Sequence, residues 1–102
     1  MHSGGHRIAV LGDMLELGKA SRKYHEEIGR AARRLGINYL LALGPLSKST
    51  VESFGNGGLH FESREALIER LLNIINTGDI ILFKGSRGMV LEKVVEAVKS
   101  KL

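Results

Sequence analysis

The chain has 102 residues, of which 43% are hydrophobic and 25% are charged, as in one average globular domain. It contains no cysteine, which excludes a disulfide scaffold and a cysteine-based zinc site and makes a reducing cytoplasm the expected compartment. The net charge of +4 suits an anionic ligand, but without a Lys/Arg block or an RNA-binding aromatic motif we expect no nucleic-acid partner. No apolar run approaches the length of a spanning helix, so membrane insertion is not expected either.

The first strand and helix are predicted from a change in hydrophobic period. Residues 8–11 form a short apolar run with the length of a buried strand. From Ser21 to Leu35 the apolar residues recur every three or four positions, which predicts a helix. Ser21 is the expected N-cap, and Gly36 is the expected residue just beyond the C-terminal end.

The same alternation continues to the end of the chain. Further strands are predicted at 39–43, 59–61 and 80–83, the last of them the most apolar. Pro45 is expected at the first position of a short helix, where its fixed φ and missing N–H are suited. Ser63 is expected to cap the next helix. A final helix presents apolar residues at Leu91, Val94, Val95 and Val98.

Four strands that alternate with four helices predict a single α/β domain. Continuously apolar strands indicate a mainly parallel four-stranded sheet with helices on both faces, and right-handed crossovers make this a Rossmann-like three-layer sandwich. Residues 1–6 are expected to be a disordered leader or a remnant of expression, and residues 7–102 to form the domain.

The segment Lys84-Gly85-Ser86-Arg87-Gly88 is the strongest candidate for a binding loop. Ligands of open parallel sheets bind beyond the carboxyl ends of the strands, and here a strand ends as a helix begins. Backbone N–H groups, an ammonium, a hydroxyl and a guanidinium would together suit an anion. The order is not that of a P-loop, G-x-x-x-x-G-K-[ST], and an ordinary exposed turn is the alternative.

Gly12-Asp13, at the tip of the first strand, is the second candidate. Asp13 could accept hydrogen bonds from ribose hydroxyls or hold a cation, and the alternative is a turn-forming or helix-capping aspartate. No G-x-G-x-x-G fingerprint follows the strand. His25 has no cysteine or H-x-x-x-H partner, so no metal site is expected.

Three segments together resemble one family. RIAVLGDMLELG at 7–18, YHEEIG at 24–29 and GDIILFKGSRGMVLEKVV at 78–95 resemble the C-terminal domain of Mur ligases, specifically of those that add D-Ala-D-Ala to UDP-MurNAc-tripeptide in peptidoglycan synthesis. The resemblance implies an enzyme of three domains that uses ATP to convert the substrate carboxylate into an acyl phosphate, which the dipeptide amine attacks. In such an enzyme the central domain holds the P-loop and Mg²⁺, and the C-terminal domain closes over the site.

The resemblance also implies roles for the two candidate segments. Asp13, Lys84, Gly85, Ser86 and Arg87 would contact ATP and substrate in the interdomain cleft. Two glycines, Gly12 and Gly88, would shape the loops. None of these residues would be catalytic within this segment.

The chain also departs from the family pattern. It has no P-loop, and no βα unit with a Tyr-Asn-Ala-Asn-Pro-like segment precedes Arg7. We therefore expect a fragment that is inactive alone, binds no cofactor tightly, and meets ATP, D-Ala-D-Ala and UDP-MurNAc-tripeptide only through other domains. An uncovered sheet edge or face could support a homodimer. The alternatives are a stand-alone nucleotide- or anion-binding module and a purely structural, dimerising α/β fragment.

Overall fold

The computed structural model describes residues 5–13, 21–85 and 92–101, and their strands form one parallel sheet. The elements are β1 (Arg7–Gly12), α1 (Ser21–Arg34), β2 (Tyr39–Leu43), α2 (Lys48–Phe54), β3 (Gly58–Phe61), α3 (Arg64–Ile74), β4 (Ile80–Lys84) and α4 (Glu92–Lys101). The strand order is β3-β2-β1-β4, and all three neighbouring pairs are parallel. The α/β fold with helices on both faces is thereby confirmed.

The sheet separates two apolar clusters because side chains alternate between its faces. One cluster joins Ile8 and Val10 of β1 to α3 and α4 through side chains such as Leu67 and Val94. The other cluster joins the intervening strand residues to α1 and α2, and comprises Ala9, Leu11, Ala32, Leu40, Ala42 and Phe54. The helices therefore divide evenly between the two outer layers.

Helices α1 and α2 pack unusually closely. The Thr50 hydroxyl donates to the carbonyl oxygen of His25 at 2.8 Å, and the Ser53 hydroxyl donates to that of Glu26 at 2.8 Å. Gly29 lies at the crossing, where a Cβ atom would meet the Ser53 hydroxyl and the Thr50 carbonyl oxygen. The glycine that would ordinarily weaken a helix interior is thus what allows this contact.

Two predicted helix boundaries are confirmed by their hydrogen bonds. Gly36 has a φ of 81°, and the N–H groups of Gly36 and Ile37 donate to the carbonyl oxygens of Arg33 and Ala32, the pattern of a Schellman motif. At α3, the Ser63 hydroxyl accepts from the N–H of Ala66 at 3.1 Å.

The prediction for Pro45 is wrong. Helix α2 begins at Lys48, and Pro45 lies in the turn before it, where the N–H of Ser47 donates to the carbonyl oxygen of Gly44. The reason is a carboxylate from another part of the chain, that of Asp13, which accepts N–H groups of this turn and delays the helix.

Strand β4 is covered on one face only, which matches the uncovered sheet edge or face expected from the sequence. Ile81 and Phe83 pack against the cluster beneath α3 and α4, but on the other face Ile80 is 65% exposed and Leu82 is 54% exposed. β4 is an edge strand of the described sheet, and α2 contacts β2 and β3 at the opposite side. Only half of this strand is therefore core.

The N-terminal end of the described chain is hydrogen-bonded to the N-terminal end of β4. The N–H of His6 donates to a carboxylate oxygen of Asp79 at 2.8 Å, and the N–H of Ile80 donates to the carbonyl oxygen of His6 at 2.9 Å. Of the expected leader, His6 is thus hydrogen-bonded to the body, while residues 1–4 lie outside the described residues. The division of the chain at residue 7 stays a prediction.

Candidate functional site

The two candidate segments meet at the point where the strand connections change direction. From β1 the chain proceeds to β2 and β3 on one side, and it then crosses to β4 on the other side. Leu11 is paired with Lys84, so Gly12, the last residue of β1, lies beside Gly85, the first residue after β4. Crevices at such switch points are where open α/β sheets bind ligands.

A small cavity lies at this junction. It has a volume of about 20 Å³ and is lined by Leu11, Gly12, Tyr24, His25, Ile28, Ser47, Thr50 and Lys84. Space of this size holds about one water molecule. Among the described residues, this cavity is too small to enclose a nucleotide.

Asp13 is buried and its carboxylate is occupied within the domain. The side chain is 1% exposed. One oxygen accepts the N–H and the hydroxyl of Ser47, each at 2.7 Å, and the other oxygen accepts the N–H of Leu46 at 3.0 Å. This is the turn- and helix-capping role that the sequence offered as an alternative for Asp13, and a contact with ligand stays a prediction.

The turn held by Asp13 is also bonded to β3. Gly44 has a φ of 110°, and a Cβ atom there would meet the Asp13 carboxylate. The Gly44 N–H donates to the carbonyl oxygen of Phe61 at 3.1 Å, and His60 Nε2 lies 2.7 Å from the Gly44 carbonyl oxygen, to which it donates. The tips of β1, β2 and β3 therefore form one bonded rim.

His25 is buried in the wall of the cavity. Its Nδ1 lies 2.6 Å from the carbonyl oxygen of Ser21, and its own carbonyl oxygen accepts the Thr50 hydroxyl. Among residues 5–13, 21–85 and 92–101, no group of three or more His, Cys, Asp or Glu side chains is placed to hold a metal ion. His25 is thus a buried residue that packs within the domain.

The structure places four of the predicted site residues together and leaves three undetermined. The four lie at the carboxyl ends of β1 and β4 and are Gly12, Asp13, Lys84 and Gly85. The Lys84 side chain is exposed. The other three, Ser86, Arg87 and Gly88, lie outside the described residues. The sequence did not predict a role for Ser47, which lies 34 positions from Asp13. The one signal for Ser47 was its position just before a helix, where serine is a preferred N-cap.

Similarity to known proteins agrees with this geometry. A family described as Mur ligase, glutamate ligase domain, matches residues 1–87. The UDP-N-acetylmuramoyl-tripeptide–D-alanyl-D-alanine ligase of Escherichia coli K12 is 40% identical over 97 residues, which are 93% of this chain and 21% of that protein. The ligase of the same name from Buchnera aphidicola of Acyrthosiphon pisum is 42% identical over 94 residues, or 90% of this chain and 20% of that protein.

Solved structures of MurF ligases are also similar to this chain. The Thermotoga maritima MurF ligase in complex with ADP superposes with a TM-score of 0.79 at 27% identity, over 96% of this chain and 22% of that one. An Acinetobacter baumannii MurF structure gives a TM-score of 0.83 at 27% identity, over 95% and 23%. The chain thus spans about a fifth of the length of the relatives it matches. In the part of the chain that is described, no helix is long and apolar enough to cross a membrane.

Proposed function

The chain belongs to the Mur ligase family, as its glutamate ligase domain, and from this we propose that it works as the C-terminal domain of an ATP-dependent ligase that joins D-Ala-D-Ala to UDP-MurNAc-tripeptide. In this role it supplies contacts to ATP and the dipeptide and has no ligase activity by itself. Its compartment is the cytoplasm, where ATP is available.

One observation carries the proposal: Lys84 and Gly85 lie beside Gly12 at the switch point of the sheet. Lys84 places an exposed ammonium at a rim whose neighbouring residue, Gly85, leaves the backbone uncovered. An ammonium there neutralises phosphate charge, and the guanidinium of Arg87, three residues on, would hold a phosphate or carboxylate through paired N–H groups.

The small volume of the cavity supports a shared site instead of an enclosed one. About 20 Å³ accommodates none of the nucleotide, so ATP would lie between this rim and the domain that holds the P-loop. The described residues contain no group of three or more His, Cys, Asp or Glu side chains placed to hold a metal ion, and we assign Mg²⁺ to the other domains.

Closure of this domain would serve the chemistry by excluding water. An activated acyl phosphate hydrolyses if water reaches it, and a lid that arrives with the dipeptide protects it. The bonded rim formed by Asp13, the turn before α2 and Gly44 gives such a lid a fixed shape. Asp13 acts in this scheme by positioning the rim, and Lys84 by contacting ligand.

A domain exchange tests the proposal. This chain replaces the matching fifth of the Escherichia coli relative, and release of phosphate is measured with ATP, UDP-MurNAc-tripeptide and D-Ala-D-Ala. The same exchange with the matching segment of the Bacillus subtilis relative, which is 33% identical to this chain, is the control. We expect both chimeras to be active, the isolated chain to be inactive, and Lys84→Ala to raise KM for ATP or dipeptide.

An inactive chimera beside an active control would contradict the assignment, provided that both chimeras unfold cooperatively. Unchanged kcat and KM for both substrates in Lys84→Ala would contradict the site alone.

The position of Lys84 at the switch point also leaves a second candidate, a stand-alone nucleotide- or anion-binding module. Saturable micromolar binding of ATP to the isolated chain, lost in Arg87→Ala, would favour that function.

A further inference from the structure

The turn between α2 and β3 contains an asparagine that is followed by a glycine. Of the four asparagines in the chain, Asn56 is the one that precedes a glycine, and the residues after the other three are larger. Asparagine is among the thermolabile residues of proteins. Its weakness is that the next backbone nitrogen can attack the carbonyl carbon of its side chain. Glycine leaves that nitrogen unshielded, because it has no side chain.

The fold requires the glycine at position 57. Gly57 has a φ of 93°, and the N–H of Gly58 donates to the carbonyl oxygen of Gly55 at 3.0 Å. These are the features of a type II turn, whose third residue needs a positive φ. A Cβ atom on Gly57 would also meet the carbonyl oxygen of Asn38, just before β2. A bulkier residue could therefore not shield Asn56 without a change in the turn.

The groups that would react in this turn are accessible. Asn56 is exposed, and its side-chain amide makes no hydrogen bond with another described residue. Within the described part of the chain, the Gly57 N–H donates to no acceptor either. Neither the nitrogen that attacks nor the carbon that is attacked is therefore held away from the other by a hydrogen bond.

Arg33 makes the Gly57 N–H easier to deprotonate. Its Nη2 donates to the carbonyl oxygen of Asn56, which belongs to the same peptide unit as the Gly57 N–H. Its Nε donates to the carbonyl oxygen of Phe54 at 2.8 Å, and the guanidinium lies 4.2 Å from the centre of the Phe54 ring, so the side chain is fixed there. When the peptide nitrogen loses its proton, negative charge moves to the carbonyl oxygen, where the guanidinium stabilises it.

We propose that Asn56 is a site of spontaneous deamidation and isomerisation, a reaction of the chain itself that does not depend on the ligase function. The Gly57 nitrogen bonds to Asn56 Cγ, the bond from Cγ to Nδ2 breaks, and the proton of the Gly57 N–H leaves with Nδ2 in ammonia. Water then opens the cyclic imide. Cleavage at Cγ gives aspartate, and cleavage at the backbone carbonyl carbon gives isoaspartate, in which the main chain runs through the side chain.

The two products differ in their effect on the sheet. The Leu40 N–H donates to the carbonyl oxygen of Gly57 at 3.0 Å, at the start of the pairing between β2 and β3. Isoaspartate adds a methylene group to the main chain before Gly57, where the backbone already lies against the Asn38 carbonyl oxygen. In the described sheet β3 pairs with β2 alone, so isoaspartate loosens this edge strand. Aspartate keeps the normal main chain and places its carboxylate near Arg33.

The test is to age the 102-residue chain at mildly alkaline pH and to follow each asparagine separately. Trypsin cleaves after Lys and Arg, so it places Asn56 alone in peptide 49–64 and the other three asparagines in peptides 35–48 and 71–84, which are internal controls. Mass spectrometry measures the conversion of amide to acid, and an isoaspartate-specific methyltransferase measures isoaspartate. Urea unfolding gives the midpoints of fresh and aged protein. Asn56→Gln, which keeps an amide, and freshly prepared Asn56→Asp, which keeps the normal main chain, are the matched variants.

We expect peptide 49–64 to gain the mass difference between an amide and an acid and to become methylated, while the two control peptides stay unchanged over the same time. The urea midpoint of the parent should fall with age, that of Asn56→Gln should stay constant, and fresh Asn56→Asp should match the fresh parent. Conversion of peptide 49–64 no faster than that of the controls would overturn the assignment of the site. Isoaspartate at position 56 with an unchanged midpoint would overturn its effect on the β2–β3 pairing.

Discussion

Replacing Asp13 with alanine should destabilise the domain far more than the loss of a surface carboxylate. The change leaves the buried hydroxyl of Ser47 without its acceptor and leaves the Ser47 N–H only its longer bond, of 3.3 Å, to the Gly44 carbonyl oxygen. The half-buried N–H of Leu46 can turn to water. A buried donor without a partner costs about 1–3 kcal/mol, so the two groups of Ser47 give about 2 kcal/mol at the lower end of that range. The variant has no carboxylate to desolvate on folding, which keeps the total from reaching the upper end.

The assay is urea unfolding followed by circular dichroism, with thermal unfolding as a second measurement. For a domain near 100 residues, 1 kcal/mol corresponds to about 4–8 °C, so the midpoint temperature should fall by roughly 8–16 °C. Ser47→Ala is the matched control: it removes one donor and leaves its N–H bonded to Asp13, so it should cost about 1 kcal/mol. If Asp13→Ala stays within about 0.5 kcal/mol of the parent at equal m-value, the capping argument is wrong.

Three further changes test other parts of the fold. Gly29→Ala should destabilise by about 2 kcal/mol in urea unfolding despite the better helix propensity of alanine, because the new methyl group meets the Thr50 carbonyl oxygen; a stabilised variant would refute the close crossing. The N–H of His6 is the largest influence that lowers the pKa of Asp79 below its ordinary value of 3.8, so the ionised form stabilises the fold above that pH and the gain is lost as the pH falls through the lowered value. The difference in urea midpoint between the parent and Asp79→Ala should therefore be full at pH 7 and shrink at pH 3, and an undiminished difference would contradict this. Ser63→Ala should cost about 1 kcal/mol by the same assay, and no loss would show that the α3 cap contributes nothing.

Hydrophobic period and local capping residues were sufficient to predict the order of the elements. The Schellman motif at Gly36 and the cap at Ser63 each depend on residues a few positions apart, so they can be read locally. The resemblance to Mur ligases, drawn from three segments, is confirmed by the family match and by the structures.

Features that depend on distant contacts could not be predicted in this way. A continuous apolar run such as 80–83 looks the same in a central strand and in an edge strand, so the sequence predicted an uncovered edge or face without assigning it to β4. Pro45 has the local pattern of a helix start, but Asp13, 32 positions earlier, holds the residues after it in a turn. For the candidate site, the sequence offered helix capping for Asp13 only as an alternative to ligand binding, because its acceptor role depends on Ser47, 34 positions away.

The close crossing of α1 and α2 joins these two helices into one rigid unit. Two hydroxyl donors and the stacking of the Arg33 guanidinium 4.2 Å from the centre of the Phe54 ring leave little freedom for one helix to slide on the other. Helix α1 follows β1 and helix α2 follows β2. A movement of either helix therefore shifts the carboxyl ends of both strands together. If this domain closes over a ligand as proposed, the tips of β1 and β2 would therefore reach that ligand in one fixed relative orientation.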